Sequence, residues 1–172
     1  MKISMMDVSP VVSGSVDDDS VDPSTIPAEN IEEIFYEVDY SKYLGVIEIP
    51  KIRLKRGFYS ADNRYNDIRY NVSLVNGSDM PDVPGGNLIL FAHSGDSYIS
   101  FFANLYKLEL GDECYILYNG VAYRYQIVNI YDVEKNGVVN IERNYDKTTL
   151  TLVTCTKGSD ILQTVYIAEL VD

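Results

Sequence analysis

The sequence is poor in the residues that bind metals and build disulfide frameworks. Its 172 residues include one His, two Cys and no Trp. A structural zinc site takes about four Cys and His ligands, so this inventory cannot build one, and we expect neither a metal nor a cofactor. Two Cys allow at most one disulfide bridge. Any reaction that needs an imidazole must use His93.

Positive charge is also scarce. The chain has 14 Lys and Arg against 26 Asp and Glu, a formal net charge of −12. The mean field therefore repels polyanions, and no basic cluster offers a local exception, so nucleic-acid binding is excluded as a first hypothesis. The sequence contains no apolar run of about 18 residues and no basic-then-apolar signal at its amino terminus. It predicts no membrane span.

The composition that remains is that of a packed domain preceded by a tail. Apolar residues make up 46% of the chain, which suffices for a core in a single domain of 172 residues. Residues 1–30 are rich in Asp, Ser and Pro, and we expect a flexible acidic tail or linker there. The alternative is a segment that folds back over a groove. Residues 31–172 are expected to form one domain, with Asn30 capping a short helix at its start.

From residue 46 onward the patterns favour strands. The candidate segments are 46–49, 51–55, 87–92, 113–118, 121–128, 130–133, 138–141, 150–154 and 164–170. Asn119-Gly120 is a strong hairpin signal between two of them. Apolar residues at helical spacing over 99–108 predict a short helix. Roughly eight short, closely spaced strands indicate a mainly β fold, either a closed barrel or a sandwich.

Two reactive side chains stand at the ends of predicted strands. Cys155 directly follows segment 150–154 and His93 directly follows segment 87–92, and each is followed by a loop that contains Gly. A thiol beside an imidazole is a pattern for nucleophilic catalysis. Spacing alone leaves this as one option, because buried structural Cys is common and a lone His is often merely solvated. Cys114 lies in the middle of a predicted strand and is expected to be structural.

The local sequences around these two residues resemble a known family. Thr151-Leu-Val-Thr-Cys155 resembles the TLxTC signature of sortases, the cysteine transpeptidases that anchor proteins to Gram-positive cell walls. Leu90-Phe-Ala-His93-Ser94 is similar to the strand that runs into the family's catalytic His, with Ala92 where Gly is usual. Segments 45–52 and 77–88 are similar to the family's first strand and to the approach to the His strand. The resemblance covers residues 44–170.

This resemblance implies a closed eight-stranded sortase-type β-barrel with a few short helices. It implies that Cys155 attacks the Thr carbonyl of an LPxTG-like sorting motif and that His93 protonates the leaving amine. An amine of a peptidoglycan precursor or a pilin then resolves the acyl-enzyme. Thr154 is expected to contact the substrate or the oxyanion. The family works on the outer face of the cytoplasmic membrane through a hydrophobic anchor, so we expect this chain to be a soluble fragment without that anchor.

The sequence departs from the family at one position. Sortases normally have an Arg at the start of the strand after the Cys loop, where this chain has Gln163, and no Arg follows Arg143. A Gln amide can donate a hydrogen bond but brings no charge. We expect Gln163 to take the place of the Arg, the alternative being Lys157 or another basic residue. Two rival functions stay open, a purely hydrolytic cysteine peptidase and a non-catalytic binding domain on a sortase barrel.

Overall fold

The structure of the protein is a computed structural model in which residues 38–171 are described. The predicted tail over 1–30 and the short helix that Asn30 would cap lie outside the described residues. From Tyr40 onward the chain forms one unit. Within residues 38–171, every helix is too short or too polar to cross a membrane.

Eight strands make up a single sheet that curls into a nearly closed barrel. In chain order they are β1 (Gly45–Ile49), β2 (Leu54–Phe58), β3 (Ser73–Leu74), β4 (Asn87–Phe91), β5 (Glu113–Tyr118), β6 (Val121–Glu134), β7 (Thr149–Cys155) and β8 (Leu162–Leu170). The order across the sheet is β2-β1-β5-β6-β8-β7-β4-β3. A parallel bridge between Phe58 and Val72 joins its two ends. The predicted mainly β, eight-stranded barrel is confirmed.

Strands β4 and β7 form the one parallel pair among the described strands. Their register runs from Asn87 beside Thr149 to Phe91 beside Val153. Parallel neighbours need a long crossover connection, and here the chain forms β5 and β6 before it returns. The buried side-chain oxygen of Asn87 accepts hydrogen bonds from the hydroxyls of Thr149 and Thr151, both at 2.9 Å. As a result the carboxyl ends of β4 and β7 emerge at the same edge of the barrel.

Apolar side chains cover both faces of β7. Its inward-facing residues join the barrel core, whose largest fully buried side chains are Tyr125, Phe58, Phe102, Ile47, Ile49, Leu88, Leu90, Leu105, Ile116, Ile127, Leu150 and Leu152. A second cluster lies outside the sheet, where Val153, Val165 and Ile167 pack with the partly buried Phe91, Tyr131, Val133, Val139 and Ile141. Burial on both faces explains why the sequence of β7 is an almost continuous apolar and Thr run.

Two expected strands differ from the structure. Segment 130–133 is no separate strand, because it continues the preceding one as the 14-residue β6 across an irregularity between Ile127 and Asn129. Segment 138–141 is no strand at all. It belongs to the connection 135–148, and its alternating apolar side chains Val139 and Ile141 pack onto the outside of the sheet.

Two further local expectations were wrong or shifted. The helix predicted over 99–108 is a single 3₁₀ turn at Leu105–Lys107, with Phe102 and Leu105 fully buried beneath the loop. The strand expected at 51–55 begins at Leu54, because a 3₁₀ turn occupies Pro50–Ile52 and Arg53 adopts a left-handed backbone with φ 53°. Pro at the first position of that turn favours it over an extended chain.

The central position of β7 predicts a large cost for truncating its core side chains. Leu152 is 1% exposed between β4 and β8, so Leu152→Ala should lower the free energy of unfolding by about 2–5 kcal/mol. Ile161, 72% exposed in the connection from β7 to β8, is the matched control, and Ile161→Ala should change it by about 0.5 kcal/mol or less. Urea denaturation followed by circular dichroism measures both. Equal losses in the two variants would contradict this packing.

Candidate active site

The parallel pair places His93 and Cys155 at the same edge of the barrel. Phe91 lies beside Val153, so the residues two positions further along each strand, His93 and Cys155, continue the same register. Both are half-buried, and both line an open cleft of about 620 Å³. The cleft is further lined by Ser94, Asp96, Tyr106, Lys135, Lys157 and Asp160. The structure therefore brings together the two residues that the sequence singled out.

Two side-chain hydrogen bonds fasten these strand ends to each other. The Thr154 hydroxyl donates to the Ala92 carbonyl oxygen at 2.7 Å, and the Ser94 hydroxyl donates to the Cys155 carbonyl oxygen at 2.6 Å. Thr154 is 3% exposed and points to the inner side of the sheet. Its hydroxyl proton is thus committed to the strand that carries His93, so Thr154 helps to fix the spacing of the site. A contact of Thr154 with substrate stays a prediction.

The Cys155 thiol has a cation beside it that the sequence did not identify. The Lys135 ammonium lies 3.4 Å from the Cys155 sulfur, a hydrogen-bond distance for sulfur. Lys135 directly follows β6 and also lines the cleft. The available signal was a basic residue just past the predicted strand 130–133, in a chain without the expected Arg. Lys157, the residue considered from the sequence, instead holds its ammonium 3.6 Å from the centre of the Tyr106 ring.

The other cysteine lies in the barrel core. Cys114 is fully buried in β5, and burial raises the pKa of its thiol to about 12. A thiol in this state carries almost no thiolate at neutral pH and is inert toward electrophiles. Both cysteines are free. The structure agrees with a packing role for Cys114.

Gln163 lies directly across from Cys155, at the start of β8. Its side chain lines a groove of about 370 Å³ on the outer face of the sheet, together with Val75, Ile89, Phe91, Gly137, Val139, Ile141 and Val153. Val153 and Cys155 are two residues apart on β7, so the groove leads along that strand toward the thiol. No described residue hydrogen-bonds the Gln163 amide, which leaves it available to a ligand.

Two side chains hold the connection 135–148 that forms one wall of this groove. The Tyr131 hydroxyl donates to the Asn140 carbonyl at 2.8 Å and accepts from the Glu142 N–H at 2.7 Å. The Arg143 guanidinium donates to the Gly85 carbonyl and to the Thr149 hydroxyl, both at 3.1 Å. The last Arg of the sequence is therefore used to position the wall. Residues 38–171 contain no cluster of three or more His, Cys, Asp or Glu that could hold a metal ion.

Comparison with known proteins agrees with this architecture. The family model described as "Sortase domain" matches residues 47–171. Sortase C1 from Streptococcus agalactiae is 26% identical, with a TM-score of 0.67 over 79% of this chain and 71% of that one. A lid mutant of sortase A from Corynebacterium diphtheriae is 24% identical, with a TM-score of 0.66 over 75% and 70% of the two chains. A search of curated proteins gave no match.

A barrel with a thiol and an imidazole at one edge is an arrangement that cysteine-dependent catalysis can use. The family match covers most of the chain, and the barrel agrees with those of the solved sortases. The chain belongs to the sortase family. Membership of that family implies a cysteine transpeptidase.

The burial of the two thiols predicts selective labelling. Iodoacetamide at pH 8 should modify Cys155, which is half-buried at the cleft, and spare Cys114, whose pKa burial raises to about 12. Peptide mapping by mass spectrometry measures the two rates separately. In urea both thiols should react. Labelling of Cys114 before Cys155 in the native protein would overturn the assignment.

Proposed function

We propose that this protein is a sortase-type cysteine transpeptidase that cleaves an LPxTG-like sorting motif through an acyl-enzyme and transfers it to an amine. One observation carries the proposal: the parallel strands β4 and β7 present His93 and Cys155 at one edge, next to an apolar groove that runs along β7. A nucleophile, an acid and a peptide-sized groove are thereby combined.

The chemistry divides one amide exchange into two steps. The Cys155 sulfur attacks the Thr carbonyl carbon, and the carbonyl electron pair moves to oxygen to give a tetrahedral oxyanion. When this intermediate collapses, the C–N bond breaks, His93 donates a proton to the leaving amine and a thioester remains on Cys155. The acceptor amine then attacks the thioester and gives a proton to His93, which restores the acid; the C–S bond breaks, the sulfur leaves and the new amide remains.

The outer groove is the binding site that we propose for the residues before the scissile bond. Its lining is apolar apart from Gln163, which suits the apolar residues of a sorting motif. Val153 lies in the groove two residues before Cys155 on the same strand face. A peptide extended along the groove therefore brings its Thr carbonyl to the thiol. The unpartnered amide of Gln163, across from Cys155, can donate to the oxyanion.

The partners and location that we propose are those of the sortase family. Sortases act on the outer surface of Gram-positive cells, and the similar solved structures include "Group B Streptococcus Pilus Island 1 Sortase C2", 21% identical with a TM-score of 0.67. We propose a surface-protein or pilin sorting signal as substrate and a peptidoglycan-precursor or pilin amine as acceptor. We further propose that residues 31–172 form the catalytic domain.

Hydrolysis is the second candidate, favoured by the openness of the cleft. Cys155 is half-buried beside polar side chains such as Ser94 and Asp96, so water can reach a thioester on its sulfur. Water and an amine would use the same acyl-enzyme. The two functions are separated by the product that forms when both acceptors are present.

The decisive test is acyl transfer by three variants of the full chain. With an LPxTG-containing peptide and triglycine, the wild type should give the ligated product, and Cys155→Ala should give neither cleavage nor transfer. His93→Ala should lower kcat/KM by at least about 10³, because no second imidazole can replace the acid. Cys114→Ala, the matched thiol control, should stay within a few-fold of wild type. Mass spectrometry of the products measures all three; cleavage without ligation would support the hydrolase, and an active Cys155→Ala would refute both.

The role of Gln163 is tested by whether its substitution changes kcat more than KM. If its amide binds the oxyanion, Gln163→Ala should lower kcat roughly 30-fold to 1000-fold with a smaller rise in KM, because the interaction strengthens in the transition state. Gln163→Arg should retain activity or raise it. Steady-state kinetics on one sorting peptide supply both constants. An alanine variant with the wild-type kcat would remove Gln163 from the mechanism.

A further inference from the structure

We propose that Lys135 is the cation of this active site and supplies the positive charge that Gln163 does not bring. This inference rests on the proposed function, because it assigns a role in the same acyl transfer. It concerns a residue that follows β6, whereas the family's Arg position lies on β8. The grounds are the position of the Lys135 backbone, the contact of its ammonium and the movement of charge during the reaction.

The sheet fixes the position of Lys135 relative to the thiol. Strands β6, β8 and β7 lie side by side, with Val133 across from Gln163 and Gln163 across from Cys155. Lys135 follows two residues after Val133, and its N–H donates to the Ile161 carbonyl at 2.8 Å, one step beyond the β6–β8 ladder. The sheet thus holds the Cα of Lys135 in place. To reach the Cys155 sulfur, the Lys135 side chain has to cross only one strand, β8.

The ammonium of Lys135 has the sulfur as its partner. The distance from Nζ to the Cys155 sulfur is 3.4 Å, and no carboxylate of the described residues forms an ion pair with Lys135. Other Lys residues differ in this respect. The ammonium of Lys51 bridges Glu109 and Asp112, and that of Lys157 lies against the Tyr106 ring. The positive charge of Lys135 is therefore directed at the reacting atom.

The positive charge of Lys135 would act both before and after the bond between sulfur and carbon forms. Before the attack, the Lys135 ammonium lies 3.4 Å from the sulfur that forms the new bond. When the thiolate adds to the carbonyl, the negative charge moves to an oxygen bonded to the same carbon, within reach of a group that already contacts the sulfur. His93, and not Lys135, supplies the proton for the leaving amine. A bound peptide excludes water from the cleft and strengthens this attraction.

The kinetic test compares three substitutions in the full chain. Lys135→Met removes the charge and keeps much of the length, and it should lower kcat by about 10-fold to 100-fold with little change in KM. This loss is below that for a buried oxyanion donor because Lys135 is exposed. Lys135→Arg should retain most of kcat. Lys42→Met, which removes the same charge from an exposed turn before β1, should match wild type. A Lys135→Met variant with the wild-type kcat would overturn the proposal.

A second measurement reads the charge at the sulfur without turnover. Cys155 is alkylated at low salt with iodoacetate, an anion, and with iodoacetamide, its neutral analogue. The ratio of the iodoacetate rate to the iodoacetamide rate should fall at least about threefold in Lys135→Met and stay near wild type in Lys135→Arg and Lys42→Met. At high salt the difference between Lys135→Met and wild type should disappear. If Lys157→Met lowered the ratio equally, the effect would come from the overall positive charge of the cleft, and the assignment to Lys135 would be overturned.

The two experiments separate failure of this inference from failure of the proposed function. A wild-type protein that forms no thioester with sorting peptides refutes the transpeptidase, while the alkylation ratio still tests the charge at Cys155. An active wild type whose Lys135→Met variant is equal in kcat and in alkylation ratio refutes the role of Lys135 alone.

Discussion

The parallel pairing of β4 with β7 is the constraint on which the site depends. Two strands that run in the same direction and in register end at the same level, so His93 and Cys155 share a cleft although 62 residues separate them in the sequence. The hydrogen bonds of Asn87 at one end of the pair and of Thr154 at the other tie the register to buried side chains. A slip of one residue would break these bonds and turn Cys155 to the opposite face.

Successive side chains of β7 face opposite sides of the sheet, so one face anchors the strand and the other faces the groove. Leu152 and Thr154 face the inner side of the sheet, where one packs in the core and the other bonds to the His strand. Val153 faces outward into the groove, and Cys155 ends the strand at the cleft. The thiol therefore stands on a strand whose other face is anchored, and its position relative to the groove is set by the pleat rather than by a loop.

Local sequence patterns predicted the parts of this protein that depend on neighbouring residues. Apolar runs and the Asn119-Gly120 turn located most strands, and the TLxTC-like segment located Cys155. Alternation failed where a side chain packs without pairing, as for Val139, and where an irregularity at Asn129 hides the continuity of β6. The contact of Lys135 with the thiol depends on the lateral order β6-β8-β7, which no local pattern encodes.

The barrel is closed most weakly next to β4, the strand that leads to His93. Strand β3 has two residues, and a single bridge between Phe58 and Val72 replaces a ladder at this seam. Amide hydrogens there should exchange by local opening at a free-energy cost well below that of global unfolding. The seam is one strand away from β4 and two from β7. Local opening at the seam thus reaches β4, which leads to His93, before it reaches β7, which carries Cys155. Such opening can change the separation of these two side chains while the rest of the sheet stays folded.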